Sequence, residues 1–212
     1  MKVFFSLFIT ISLISGISLL ANKQSDAIRQ GTPGIPETTG SRVNLNEEKL
    51  KTIATSAKDF VRQKKYNPDY CFLIDMSLAS GQPRFFIYDL AKDSIRQSGL
   101  VAHGNCYQDW LEGRKYSNKV GSGCTSLGRY RIGNPYTGMW GYSYKLHGLD
   151  SSNNNAFERT VVLHGHHCVP NDAVEEEICQ SNGCPTVAPD FLVRLKQLIN
   201  SSAKPVLLWI YE

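Results

Sequence analysis

The spacing of apolar residues changes several times along the chain, and each change marks an element. After Met1-Lys2 an uncharged, mostly apolar run extends from Val3 to Ala21. Residues 28 to 45 are broken by Gly31, Pro33, Gly34, Pro36 and Gly40, a composition of linkers rather than core elements. Leu50, Ile53, Ala54, Ala57, Phe60 and Val61 then recur at helical spacing, with lysines and polar residues between them. This predicts an amphipathic helix of about four turns ending near Lys64, started by Asn44 with Glu47 three residues on. From Tyr70 the rhythm shortens to β-rich runs between turn residues. Tyr70 to Met76, Arg84 to Leu90 and Ser94 to His103 read as an antiparallel meander. A long loop follows to about Gly123; loops of that length in a compact domain are usually functional or pinned. Thr125 to Ile132 is a further strand, with a break at Gly133-Asn134-Pro135, and Gly138 to Leu149 is rich in Trp140, Tyr142, Tyr144 and Leu146. A polar loop leads to Thr160-Val161-Val162-Leu163 and His164. Phe191, Leu192, Leu195 and Leu198 return to helical spacing over Pro189 to Ile199, and Val206 to Tyr211 reads as a buried strand. The expected fold is mainly β, with an N-terminal amphipathic helix and one helix near the end.

The N-terminal run changes what the chain is for. A basic start followed by an apolar stretch is an export pattern, and Ser25-x-Ala27 is a small-x-small site, so residues 1–27 read as a signal peptide cleaved after Ala27. The rival is an uncleaved anchor, since the run is just long enough to span a bilayer. Residues 28–45 are then a linker, 46–69 a helix with its connection, and 70–212 the main domain. Of 212 residues 42% are hydrophobic and 20% charged, ordinary for a globular protein. Without the leader the chain keeps 21 basic and 18 acidic residues, a balance of +3. That is too mild for nucleic acid and is compatible with an anionic polymer as substrate.

Export also permits disulfides, and six cysteines stand at 71, 106, 124, 168, 179 and 184. Cys106 and Cys124 flank a polar loop, and Cys168 and Cys179 lie within the connection from His164 to Cys184. These two pairs are the expected bridges, although the sequence leaves other pairings open. Cys71 sits in an apolar run and is expected as a buried free thiol. Cys184 follows Ser181-Asn182-Gly183, where a glycine lets backbone N–H groups turn toward a substrate carbonyl. With His164 it forms the minimum for a thiol nucleophile and its base, and a neighbouring imidazole or helix N-terminus is expected to lower the thiol pKa. The bland alternative for Cys184 is a disulfide with Cys179 or a buried thiol. The Ser-x-Gly-Cys setting and the His164-Gly165 strand end favour the nucleophile. His164, His166, His167, Cys168, Cys179 and Cys184 together could also ligate zinc, but their spacing matches no zinc pattern. His103 and His147 read as hydrogen-bonded or half-exposed histidines, and Glu175 to Glu177 as a solvated loop or short helix face.

Leu100 to Gly104, Ser126-Leu127-Gly128-Arg129-Tyr130, Tyr142 to Leu149, Ala156 to Gly165 and Ser181-Asn182-Gly183-Cys184-Pro185 resemble the murein L,D-transpeptidase catalytic domain of the YkuD-like family, in its Gly-Cys-Pro subgroup. The resemblance covers about residues 70 to 212. It implies a β-sandwich-like fold with the cysteine in a cleft beneath a loop. It also implies thiolate attack by Cys184 on a peptidoglycan tetrapeptide stem, with His164 as base, Gly183 and Cys184 at the oxyanion, and Asn182 and Ser181 shaping the site. A carbonyl at Gly165 or a neighbour would orient the imidazole. The thioester would pass to an amine of a second stem, giving a 3→3 cross-link, or to water, giving an L,D-carboxypeptidase. A non-catalytic wall-binding module and a zinc-binding structural domain are the readings from other classes. The wider family carries arginine where this chain has Thr186, and histidine or an aromatic where it has Asn182. No cofactor or metal is expected. The expected partners are peptidoglycan stem peptides, not nucleic acid, for an exported monomer with no membrane span after cleavage.

Overall fold

The computed structural model describes residues 47–212; the leader, the linker and the Asn44 helix start lie outside them. Helix α1 runs Glu47–Lys64, with Glu47 and Glu48 in its first turn and Arg62 and Lys64 in its last, each sign opposing the helix dipole at that end. Among the described residues nine strands follow: β1 Tyr70–Asp75, β2 Phe85–Asp89, β3 Ser94–Gly99, β4 Val101–Ala102, β5 Gly128–Gly138, β6 Gly141–Gly148, β7 Val162–Gly165, β8 Thr186–Val187 and β9 Leu207–Tyr211. Helix α2, Pro189–Ser201, lies between the last two, with proline in its first turn, where no N–H is needed. The fold is mainly β, as the spacing predicts.

All nine strands join one mixed sheet in the order β3-β2-β1-β9-β5-β6-β7-β8-β4. Its two ends, β3 and β4, are separated in the chain by Leu100 alone. The sheet must therefore curl until its edges meet, so the expected layers are parts of one sheet wrapped around a core. Strand β1 is buried on both faces because its side chains alternate between two clusters. Tyr70, Phe72 and Ile74 enter the interior with Phe85, Tyr130, Tyr144, Leu163, Phe191 and Leu195. Cys71 and Leu73 face outward against Leu50, Ala54, Ala57 and Val61 of α1. Burial of each large apolar side chain contributes about 1.5–3 kcal/mol, which gives α1 its place on the sheet.

Two details depart from the sequence reading. The run from Ser94 to His103 is not one strand: β3 pairs with β2, and after Leu100 the short β4 pairs with β8. Gly133-Asn134-Pro135 does not end β5, which continues to Gly138 through a register shift between Ile132 and Pro135. A bulge tolerates the missing proline N–H, so the hairpin to β6 lengthens instead of stopping. The expected bridges are present, Cys106–Cys124 and Cys168–Cys179, and Cys71 is free and buried.

Candidate active site

Parallel pairing of β7 with β8 sets His164 opposite Thr186, two residues beyond Cys184. Cys184 and His164 both line one cavity of about 550 Å³. Ser181, Asn182, Thr186, Arg159 and Trp140 line it too. The cysteine loop is locked internally: Ser181 Oγ donates to the Cys184 carbonyl at 2.7 Å and accepts from Gly183 N–H at 3.2 Å. Ser181 N–H in turn donates to the His103 carbonyl at 2.8 Å, tying the loop to the end of β4. Gly183 has φ +107°, and a Cβ there would stand 2.7 Å from the Cys124 carbonyl oxygen, so this position requires glycine. Of the two N–H groups expected at an oxyanion, that of Gly183 is thus engaged by Ser181. The Cys184 N–H has no partner among the described residues.

The imidazole of His164 is held on both nitrogens. Nδ1 lies 3.2 Å from the Gly165 carbonyl and Nε2 lies 2.9 Å from Thr186 Oγ1. A carbonyl only accepts, so Nδ1 carries the proton and Nε2 accepts from the threonine hydroxyl. Thr186 Oγ1 also lies 3.3 Å from the Cys184 carbonyl, but its single proton is engaged by Nε2, so this approach adds no second donated bond. Trp140, at the tip of the β5–β6 hairpin, stacks on His164 with ring centres 5.3 Å apart and meets His166 edge-on at 5.7 Å. The hairpin tip therefore overhangs the cavity from one side.

Electrostatics correct one expectation. The Cys184 thiol is not lowered: burial pushes it above its ordinary value and outweighs the N–H of Val162, 3.5 Å from Sγ, and the charge of Arg159. Burial likewise pulls His164 below its ordinary value, against the Gly165 carbonyl. Near neutral pH the pair is a neutral thiol and a neutral imidazole, and proton transfer belongs to the attack itself. Cys71 is also raised, by burial alone.

The remaining candidates sort clearly. Cys168 and Cys179 are bonded to each other at the cavity wall, so neither is a free thiolate for a metal. Among the described residues, no three His, Cys, Asp or Glu side chains cluster as a metal site. His103 is buried and its Nδ1 accepts from Arg84 at 3.0 Å. His147 stacks on Phe157. Glu177 is no idle solvated acid: it pairs with Arg114 and accepts from Ser80.

The family model described as L,D-transpeptidase catalytic domain matches residues 41–211. The chain belongs to this family. Residues 41–211 are thus a domain of the L,D-transpeptidase catalytic type. No curated protein matches the chain. Among solved structures, the L,D-transpeptidase of Mycobacterium smegmatis is similar with a TM-score of 0.42 and 8% identity, covering 68% of this chain and 59% of its own. The helical cell shape determining protein of Campylobacter jejuni gives 0.43 and 15%, covering 75% of this chain and 56% of its own. The Enterococcus faecium L,D-transpeptidase gives 0.41 and 12%, covering 68% of this chain and 52% of its own. The chain thus aligns with little more than half the length of these structures.

Among the cavity residues of this L,D-transpeptidase family member that were not read from the sequence as site residues are Thr186, Arg159 and Trp140. Thr186 stood out there only as the residue replacing an arginine. Arg159 lay inside a matching segment, and its one local signal was a lone cation entering an apolar strand.

Proposed function

We propose that the protein is a cysteine-dependent peptidoglycan L,D-transpeptidase. The observation that carries this is Cys184 and His164 lining one cavity, with the Nδ1 proton of His164 fixed by Gly165 and Nε2 left as the acceptor. Cys184 Sγ attacks the carbonyl between the third stem residue and the terminal D-alanine. The thiol proton passes to His164 Nε2 as the S–C bond forms. The Cys184 N–H, unpaired in the resting site, faces the charge that develops on the carbonyl oxygen. As the C–N bond breaks, His164 returns the proton to the departing D-alanine amine, leaving a thioester on Cys184. An amine of a second stem then attacks the thioester, His164 Nε2 takes the amine proton as the C–N bond forms, and the S–C bond breaks with that proton passing to Sγ, giving a 3→3 cross-link and the free thiol. Gly165 holds the ring through Nδ1 for both transfers, and Thr186, which donates to Nε2 in the resting site, is displaced from it when the proton arrives.

The choice of an amine over water is supported by a second cavity of about 420 Å³, lined by Met139, Trp140, His166 and Pro189. It shares Met139, Trp140 and His166 with the first, so a second peptide has a place beside the one that meets Cys184. Residues 1–27 direct export, the mature chain acts as a monomer in the periplasm or cell wall, and the two disulfides suit that compartment. Among the described residues no helix is long and apolar enough to cross a membrane.

The test is incubation with purified tetrapeptide muropeptides, read by mass spectrometry. 3→3 dimers that vanish in Cys184→Ala support transpeptidation; tripeptides without dimers replace it with carboxypeptidation. Neither product from folded protein with a titratable Cys184 thiol refutes the enzyme and leaves a wall-binding module.

A further inference from the structure

Among the described residues, the cavity beside Cys184 is lined by histidine, hydroxyl, amide, thiol and aromatic groups, but by no aspartate or glutamate. Among those residues its one permanently charged lining residue is Arg159. That guanidinium is anchored from behind by neutral acceptors. Nη1 donates to the Ser117 carbonyl at 2.8 Å and to Ser126 Oγ at 2.9 Å, and Nη2 donates to the Cys124 carbonyl. Three of its five N–H groups are engaged; Nε–H and one N–H of Nη2 have no partner among the described residues. No ion pair among those residues includes Arg159. Nη2 lies 3.3 Å from where a Cβ on Gly183 would stand, which places it against the backbone that precedes the nucleophile.

We propose that Arg159 is the receptor for the C-terminal carboxylate of the donor peptide, a specificity-determining residue that confines attack by Cys184 to the last peptide bond of a chain. This rests on the reading of Cys184 as the acyl-transfer nucleophile. A partly desolvated cation with no counter-charge is poorly satisfied by carbonyls alone and gains most from an incoming anion. The two free donors suit a carboxylate, whose oxygens accept from an arginine fork. Attack on a terminal amino acid leaves that carboxylate one residue beyond the scissile carbonyl, within the reach of a group beside the cysteine backbone. The thiol does not compete for the charge in the resting protein, since burial keeps Cys184 protonated. A peptide that continues past the next residue, or ends in an amide, presents no anion there and leaves Arg159 uncompensated.

The test is calorimetric binding to the full chain carrying Cys184→Ala, which separates recognition from chemistry. The probes are a synthetic stem tetrapeptide ending in D-alanine and the same peptide with a C-terminal carboxamide. The acid should bind about tenfold or more tightly than the amide, the usual weight of a charge-assisted pair. Arg159→Lys in the same background keeps the charge and loses the fork, and should collapse that ratio toward one. The ratio is internal to each protein, so partial unfolding of a variant, which scales both affinities alike, does not imitate the result. Equal affinity for acid and amide, no saturable binding of either, or an unchanged ratio in Arg159→Lys overturns the proposal. If wild-type protein turns over neither peptide while Cys184→Ala still prefers the acid, the reaction assigned to Cys184 fails and the carboxylate receptor stands.

Discussion

Acidification should release the cysteine loop through His103, a residue outside the cavity wall. His103 is 1% exposed, and its Nδ1 accepts from the buried Arg84 guanidinium at 3.0 Å. Burial, with the charges of Arg84 and Arg114 added and that of Glu177 opposing, pulls its pKa from 6.5 down to about 4. The folded protein thus holds a neutral imidazole over the range where an unfolded chain would take up a proton. Between pH 6.5 and pH 4 the unfolded state binds more protons, so stability rises with pH across that window and is lost as pH falls through it. The difference corresponds to about 3 kcal/mol from this one site by pH 4. Urea unfolding at pH 7.5, 6, 5 and 4, on wild type and on His103→Gln, checks it. Glutamine accepts from Arg84 but does not titrate, so the acid loss should be about 3 kcal/mol smaller in the variant, while all other titrating groups cancel in the difference. Parallel loss of stability in the two proteins, or a His103 resonance titrating near pH 6.5 in the folded state, refutes the reasoning. The loss reaches the site because the His103 carbonyl holds Ser181 N–H.

Gly183→Ala should cost about 2 kcal/mol or more by thermal or urea unfolding, since a positive φ and a Cβ 2.7 Å from the Cys124 carbonyl are both imposed on a locked loop. Replacing Cys106 and Cys124 together by serine, which removes a bridge spanning 18 positions, should cost about 3 kcal/mol by urea unfolding. It should also lower turnover, because the Cys124 carbonyl seats Arg159. The acid limb of kcat/KM should lie below pH 6.5, because burial depresses His164 and the base stays neutral until the pH falls that far. An acid limb above pH 7 contradicts that assignment.

Much of the fold was legible because its elements have strong local periodicity. The apolar positions of α1 repeat at helical spacing, and α2 is announced by Pro189 and by Phe191, Leu192 and Leu195. Cys184 and His164 stood out as candidates because glycine-flanked thiols and strand-end imidazoles are rare enough to notice, and the two bridges expected from loop span are present although the sequence left other pairings open. Gly133-Asn134-Pro135 misled because a proline reads alike in a bulge and at a strand end; only the pairing with β6 separates them. The joint of β3 and β4 was invisible for a similar reason. No local signal says that a run changes partner across one leucine.

The sequence by itself determined which residues could carry chemistry and which segments were helix or strand, since those depend on side-chain type and near-neighbour spacing. Tertiary structure alone decided their condition. Burial, which sums over every element packed around a group, raised Cys184 and lowered His164 where residue types suggested an activated thiolate. The pairing of β7 with β8 set Thr186 against the imidazole. The curl of the sheet and a disulfide-bounded loop brought the Ser117, Cys124 and Ser126 acceptors behind Arg159, the one fixed charge in the cavity wall among the described residues. Electrostatic environment and hydrogen-bond partnership are long-range properties of a packed chain, and no window of sequence contains them.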